Sequence, residues 1–592
     1  MQDPIIFYRT QLGHHKAEAK RIYKQMGLLS VLRLSVFTLT AFGIYLSFSN
    51  WKVVLPIAII GITIFLLLLS RYTDQKSTRA LHKRLAIINE DELKIASGDF
   101  HSRPDGTQFQ DPKHAYSLDI DLFGRGSFFQ FINRTTIHEG TSTLASYLLA
   151  NAISDIKERQ EAIAELSKIP EWRQRYAGIA QGVDIQYSAQ SIIQWLKDYK
   201  PFLNRSMYWV TLAFSLVSIA VIVLGVMELI PIDFAGYWLL FGLAVTGTYL
   251  KSINKVAQNT EKAKDTFRQY ALLLEQIENQ KFDSELLQKQ QQKIQSEGIK
   301  ASMIFSKFSK ALDALDNRNN LLSAIFGNGY LLWDIRQTYH IEQWIGHYAD
   351  KVEDWFEVVT FFDAFNSLGN YAYNHQSFTY PEITDKEITL DATELGHPLI
   401  HSEKRITSNV NLKKQQFFIV TGANMAGKST FLRTMGLHIV MANVGLPVCA
   451  ERSLYKPIKL VTSMRTTDSL TDDSSYFFSE LTRLKFVVDT IENDTNYFVI
   501  LDEILKGTNS TDKAIGSKKF VERLVSLNAT GIIATHDLSL TEIEAELEAV
   551  ENYFFDAQIV NDELYFDYKL KQGVCQNMNA SFLLKKMQIV EN

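Results

Sequence analysis

The chain has 592 residues, several times the usual length of one domain, so three or four structural units are expected. Its 61 basic and 66 acidic residues leave a net charge of -5, which excludes a chain-wide basic field and makes any nucleic-acid contact a local matter. Only two cysteines occur, Cys449 and Cys575, with no CxxC or Cys/His spacing, which excludes a structural zinc and fits a reducing compartment.

Residues 1-33 read as a cytoplasmic N-terminal segment, and 34-70 as a transmembrane hairpin. Leu34 to Phe48 and Val53 to Leu69 carry no charge and are separated by only a few residues. The first run is short for a span of about 20 residues, and it gains Leu28 to Leu32 if Arg33 snorkels to the interface. Residues 206-250 repeat the pattern with Met207 to Met227 and Phe234 to Leu250, giving four transmembrane helices in two hairpins. Lys and Arg flank the outer ends of both hairpins, among them Lys20, Arg21, Arg71, Lys83, Arg205 and Lys251. The positive-inside rule therefore predicts a multi-pass cell (inner) membrane protein with both termini and the large segments cytoplasmic. A cleavable signal peptide is not expected, because the first apolar run begins late and leads straight into the second.

Residues 71-205 are expected to form a cytoplasmic helical packing region, with Ser154 as N-cap of a helix that buries Ile156, Ile163 and Leu166. Residues 251-380 read as long helices. They end in an aromatic, apolar stretch, Leu321 to Trp333, that is too short to span a bilayer, and then in a helical return. From Gly396 short apolar strands alternate with helices, so 381-592 is expected to be an α/β domain.

In that domain the buried-strand pattern Phe417 to Val420 runs directly into TGANMAGKST, a GxxxxGK[ST] loop opening a helix near Thr430. Such a loop, Gly422, Ala423, Asn424, Met425, Ala426, Gly427, Lys428, Ser429 and Thr430, turns backbone N–H groups toward phosphates. The lysine reaches the outer phosphate oxygens, and the serine hydroxyl ligates magnesium. A second apolar strand, Tyr497 to Leu501, ends in Asp502 and Glu503, the order in which the first carboxylate orients magnesium and the second polarises the attacking water. A third, Gly531 to Ala534, ends in Thr535 and His536. ATP and Mg2+ are the expected ligands, with Glu503, His536 and Lys428 catalytic and Ser429 and Asp502 on the metal.

These residues resemble the MutS family of DNA mismatch-repair ATPases. The family's HPxx motif appears as His397 and Pro398, its TGPNMxGKST loop as Thr421 to Thr430, its DEIGRGTSTxD strand end as Asp502 to Asp512, and its THx turn as Thr535 and His536. DSLTDDSSYFFSEL looks like the family's segment that crosses a dimer. The resemblance implies a homodimer with composite sites, Ser475 reaching the neighbour's γ-phosphate and Glu480 supporting it. Upstream, Asp121 to Leu166 and Asp354 to Tyr373 look like the start and return of the family's core domain. The implied fold is an all-α core and lever region followed by a C-terminal P-loop ATPase of the ABC type.

The chain also departs from the family. On this sequence neither the mismatch-reading domain before the core, nor a separate clamp, nor an appended C-terminal module is expected. The position where the family places an aromatic over adenine is occupied by Ile406, which implies weaker nucleotide affinity or base selectivity. The expected function is a membrane-anchored ATPase coupled to DNA binding of mismatch-repair type. The alternative is a membrane machine, for transport or remodelling, in which ATP-driven dimer closure moves the hairpins without DNA. Against export stand the missing LSGGQ segment and the lack of an ionisable residue inside the spans.

Overall fold

The structure is a computed structural model that describes residues 2–182, 188–296, 298–316, 318, 320–465, 476–560 and 563–575. Its first feature is a helical hairpin, α1 (Pro4–Leu46) and α2 (Trp51–Ala96). Asp3 caps α1 by accepting from Ile6 N at 3.0 Å, with Pro4 at the first helical position. Asn50 caps α2 by accepting from Lys52 N at 3.2 Å. At 1.5 Å per residue each helix is about 65–70 Å long, so the uncharged runs occupy only the half next to the turn. The other half is a stalk. Arg33 lies over the Tyr72 ring at 4.2 Å, and Arg79 over Tyr23 at 4.4 Å. At the stalk's far end His15 Nδ1 lies 3.0 Å from His82 Nδ1.

The core module follows: α3 (Phe128–Ile132), α4 (His138–Leu149), α5 (Ile156–Ser167), α6 (Pro170–Ala180) and α7 (Ala189–Asp198). Ile156, Ile163 and Leu166 are buried as expected, but Ser154 does not cap α5. Asp155 occupies the cap position at φ +56° with no side-chain cap bond, and the Ser154 carbonyl instead accepts from Arg159 Nη2 at 2.5 Å. The start of α4 is capped from a distance: the Asp363 carboxylate accepts from Thr136 N at 2.9 Å and Ile137 N at 3.0 Å.

The second apolar pair forms α8 (Met207–Val226) and the first part of α9 (Asp233–Asn279). They are locked by Trp238, which stacks on Phe214 at 4.8 Å and donates from Nε1 to Ser218 Oγ at 2.7 Å. Among the described residues three helices, α1, α2 and α8, are long and apolar enough to cross a membrane. The expected fourth, the start of α9, is not among these three. Its 47 residues continue without a break into a polar arm. Along that arm lie α10 (Glu285–Lys293), the small β1 (Gln295–Ser296) and β2 (Ile299–Lys300) ribbon, and α11 (Ala301–Asp316), which runs back against α9 through Arg268–Asp313 at 2.7 Å. After a π-helical turn, Ser323–Gly327, and the short α12 (Asn328–Leu331), the chain reverses at Leu332, φ +48°, into α13 (Trp333–Asn374). This 42-residue helix is buried along much of its second half, where α4, α5 and α6 pack around Phe362, Phe365 and Leu368.

Among the described residues the C-terminal domain has two sheets. The smaller takes the order β3-β7-β4-β5, from β3 (Glu382–Ile383), β4 (Ile388–Leu395), β5 (Ser408–Lys413) and β7 (Arg452–Tyr455). The larger takes the order β12-β11-β6-β10-β9-β8, from β6 (Phe417–Gly422), β8 (Lys459–Ser463), β9 (Tyr497–Asp502), β10 (Thr530–Ala534), β11 (Val550–Val560) and β12 (Glu563–Gln572). All its pairings are parallel except β11 with β12, which matches the expected α/β class. β6, β9 and β10 are buried on both faces, which is why they read as continuous apolar runs. α14 (Lys428–Val444) sits between the large sheet and the core module and is buried on almost every side. α15 (Tyr476–Asn493), α16 (Ser510–Ser526) and α17 (Ile543–Glu546) complete the domain.

The candidate nucleotide site

The glycine loop joins β6 to α14, and the helix begins at Lys428, two residues before the expected Thr430. The loop needs its glycines. Gly422 has φ +144° and Gly427 φ +105°, and a Cβ on Gly422 would sit 2.7 Å from the Phe555 carbonyl oxygen. Met425 also takes a left-handed φ of +68° and points into solvent. Lys428 folds back over its own loop, Nζ donating to Gly422 O at 2.8 Å and Ala423 O at 3.0 Å. Burial lowers its pKa, against the pull of Glu503 and Asp502.

The strand ends bring the acidic groups to this loop. Ser429 Oγ donates to Asp502 Oδ2 at 2.8 Å, and burial raises the Asp502 pKa. Glu503 sits at φ +50°, its N–H held by Ala534 O at 2.9 Å, so the β9 end is bent and pinned to β10. His536 Nε2 lies 2.9 Å from Glu503 Oε1 and 3.2 Å from Lys428 Nζ. Lysine only donates, so one Nε2 cannot both donate to Glu503 and accept from Lys428, and the shorter contact assigns its proton to Glu503. That hydrogen bond, opposed by burial and helped by Lys506 and Lys428, holds the Glu503 carboxyl down to about 2.

A cavity of about 480 Å³ opens beside these groups, within the range of small-molecule sites. Gly427, Lys428, Ser429, Thr430 and Glu503 line one side, and His397, Ile406, Phe555 and Tyr568 the other. Burial lowers His397 to about 4, so its imidazole is neutral at pH 7. Ile406 is half-exposed and faces the cavity, as the sequence suggested. Ser475, expected to act on a neighbouring site, lies outside the described residues. Glu480 is buried in its own chain, where it accepts from Lys506 N at 3.0 Å and braces the loop behind Glu503.

The model of MutS domain V matches residues 418–589, which contain the glycine loop, both strand ends and His536. By this match the C-terminal domain is of the MutS domain V type. The chain is 35% identical over 214 residues to MutS protein homolog 4 of Homo sapiens, covering 34% of this chain and 22% of that protein. It is 29% identical over 234 residues to the DNA mismatch repair protein MutS of Desulfatibacillum aliphaticivorans, covering 38% of this chain and 26% of that one. The match thus spans about a quarter of the length of these MutS relatives.

Two parts of the candidate site carry no motif in the sequence. Tyr568 and Phe555 reach the cavity from β12 and β11, and Tyr568 touches the loop closely enough that a Cβ on Gly427 would lie 3.2 Å from its ring. Their only sequence signal was a pair of aromatic-rich strands, which core packing explains equally well. Leu505, where the resembling motif carries glycine, holds a left-handed φ of +58° with its side chain buried.

Proposed function

We propose that the protein hydrolyses ATP, with Glu503 as the base that takes a proton from the attacking water. The observation that carries this is the carboxylate itself: kept ionised by His536 and placed beside Lys428 at the mouth of a nucleotide-sized cavity. Glycine-loop N–H groups and Lys428 receive the β and γ phosphates once the ammonium exchanges its carbonyl partners for them. Water attacks the γ-phosphorus, its proton passes to Glu503, and ADP and inorganic phosphate leave. The paired oxygens of Ser429 and Asp502 fit a magnesium ion, which takes one or two protein oxygens and completes its shell with phosphate and water. When bound, it would neutralise phosphate charge.

Two protomers close on ATP in this reading, with Ser475 completing the neighbouring site, and the chain is anchored in the cell membrane through α1–α2 and α8–α9. Apolar side chains such as Leu34, Phe37, Leu67, Leu216 and Phe241 are exposed along these helices, as lipid contact requires. The ATP cycle acts on DNA in the mismatch-repair manner of the relatives. A second reading, in which closure moves the hairpins, is favoured by a specific contact: the stalk is tied into the core by the buried Glu92, and the core into α14 by Arg159, which donates to Asn443 O at 2.8 Å. Turnover of the full chain in detergent and in lipid, with and without duplex and mismatched DNA at two salt concentrations, separates them. DNA stimulation that fades with salt supports the first. Indifference to DNA with a response to lipid supports the second.

Ile406 gives a further prediction. Ile406→Phe adds a ring to the half-open cavity wall and is expected to tighten ATP binding about fivefold to tenfold, the equivalent of about 1 kcal/mol for aromatic stacking. Titration with a fluorescent nucleotide reads this. Unchanged affinity would place the base elsewhere, against Tyr568.

A further inference from the structure

Between α11 and α13 the chain makes an out-and-back excursion whose base is closed. Arg318 enters and Asp334 leaves, 3.5 Å apart, and Trp333 Nε1 donates to Ala314 O at 2.9 Å. The 15 residues from 319 to 333 carry no charge. The excursion does not lie on the cytoplasmic arm but runs along the apolar pair α8–α9. Gly242 and Gly329 meet so closely that a Cβ on Gly242 would collide with the Gly329 carbonyl, and Tyr330 donates to Ala235 O at 3.1 Å. This small-residue contact is the kind that lets helices approach in a bilayer.

Its depth follows from α9. Gly242 is nine residues past Asp233, about 14 Å from the loop end of the pair at 1.5 Å per residue, which is near the middle of a hydrocarbon core of about 30 Å. On the side away from α8–α9, Leu321, Leu322 and Phe326 are 72%, 66% and 53% exposed. Leu216, Ile219, Leu240 and Phe241 of α8–α9 are exposed as well. Polar backbone groups are met locally at both ends: Asn320 Oδ1 accepts from Leu322 N at 3.0 Å, the π-helical turn follows, and Asn328 Oδ1 accepts from Asp334 N at 2.9 Å.

We propose that residues 320–332 are a re-entrant membrane element that enters from the cytoplasmic side, turns near the bilayer midplane and presents Leu321, Leu322 and Phe326 to lipid hydrocarbon. This rests on the membrane reading of α8–α9. The second membrane unit is then a hairpin with a half-depth wedge that leads directly into α13.

The test is depth-dependent quenching of an environment-sensitive fluorophore on single cysteines in the full chain, with Cys449 and Cys575 replaced by Ala, reconstituted in vesicles containing lipids brominated near the acyl midpoint. Labels are placed on Phe326→Cys, on Ile219→Cys in α8 and on Met303→Cys in α11, all exposed positions that folding tolerates. The expected result is comparable quenching at 326 and 219 and none at 303. Quenching at 219 alone overturns the re-entrant element while leaving the membrane hairpin in place. Quenching at neither 219 nor 326 removes the membrane reading and this inference with it.

Discussion

Glu503→Gln is expected to slow ATP turnover by about 10²–10⁴-fold, the usual contribution of a positioned general base, while nucleotide binding survives. Lys428→Ala is expected to lose binding, because the charge that meets the outer phosphates is gone. The pH profile sharpens the assignment. An ordinary glutamate takes up its proton near 4.3, whereas Glu503 is held to about 2, chiefly by the hydrogen bond from His536. A depressed carboxyl keeps its base form as pH falls until the folded value is reached, so lowering the pH from 7 to 4 leaves Glu503 ionised. His536→Ala removes the leading cause and lets the value rise toward the ordinary one. The acid limb of kcat that belongs to Glu503 then moves upward into the accessible range. Steady-state turnover of the protein and His536→Ala between pH 4 and 8 reads this directly. A limb that stays in place would mean that His536 does not hold the carboxylate.

Arg134→Ala is expected to cost about 3–5 kcal/mol, because it leaves a fully buried carboxylate without its cation. Glu92, on the stalk helix α2, accepts from Arg134 Nε at 2.5 Å and Nη2 at 3.3 Å, and from the Asn370 and Asn374 amides at 3.0 and 3.1 Å. Tyr8 from α1 donates to Asn374 Oδ1 at 2.6 Å, and Arg173 to Asn370 Oδ1 at 2.7 Å. Both stalk helices, the core module and the end of α13 thus meet at one carboxylate. Burial alone would raise the Glu92 pKa, but Arg134 and the amide bonds outweigh it and the net shift is downward. The sign follows: this stabilisation is complete above the unfolded value near 4.3 and is lost as pH falls through the lower folded value. Glu92→Gln/Arg134→Met should cost less than Arg134→Ala alone, since no lone charge remains. Unfolding in detergent together with hydrogen exchange of the Tyr8 turn measures both. An Arg134→Ala protein within 1 kcal/mol of the parent would show that the network does not hold the stalk.

The candidate site was legible because its information is local. The glycine loop, the Asp502–Glu503 strand end and the His536 turn each fit in a few consecutive residues whose types are dictated by phosphate and water. The Glu92 junction was not. Its members, residues 8, 92, 134, 173, 370 and 374, are scattered polar side chains that become a unit only when four helical segments meet. The hairpin was legible as two uncharged runs but not as a stalk, since the charged halves are held by each other and by scattered contacts with the core, such as Arg84 to Gly178 O and Asn89 to Gln174, that follow no simple periodicity. The same limit applies to residues 320–332. Length excluded a full crossing, but the excursion along α8–α9 depends on two glycines, Gly242 and Gly329, far apart in the sequence. Ser154 failed as a cap because the backbone at Asp155 turns left-handed, which nothing in the residue type requires.

The edge of the large sheet decides how this protein can be taken apart. β8 is covered by the segment that opens the core: Thr462 N donates to Ala115 O at 2.9 Å, and the Asp119 carboxylate accepts from Thr462 Oγ1, Met464 N and Arg465 N. Arg483 crosses the same seam to the His114 and Ala115 carbonyls. A fragment cut at residue 381 would expose an unpaired strand edge and the apolar core-facing side of α14 together, a combination that invites intermolecular pairing. The C-terminal domain and the core module are therefore packed as one unit. Complementation with separate halves, or transplantation of the nucleotide domain onto another anchor, requires that residues 114–121 travel with the sheet they seal.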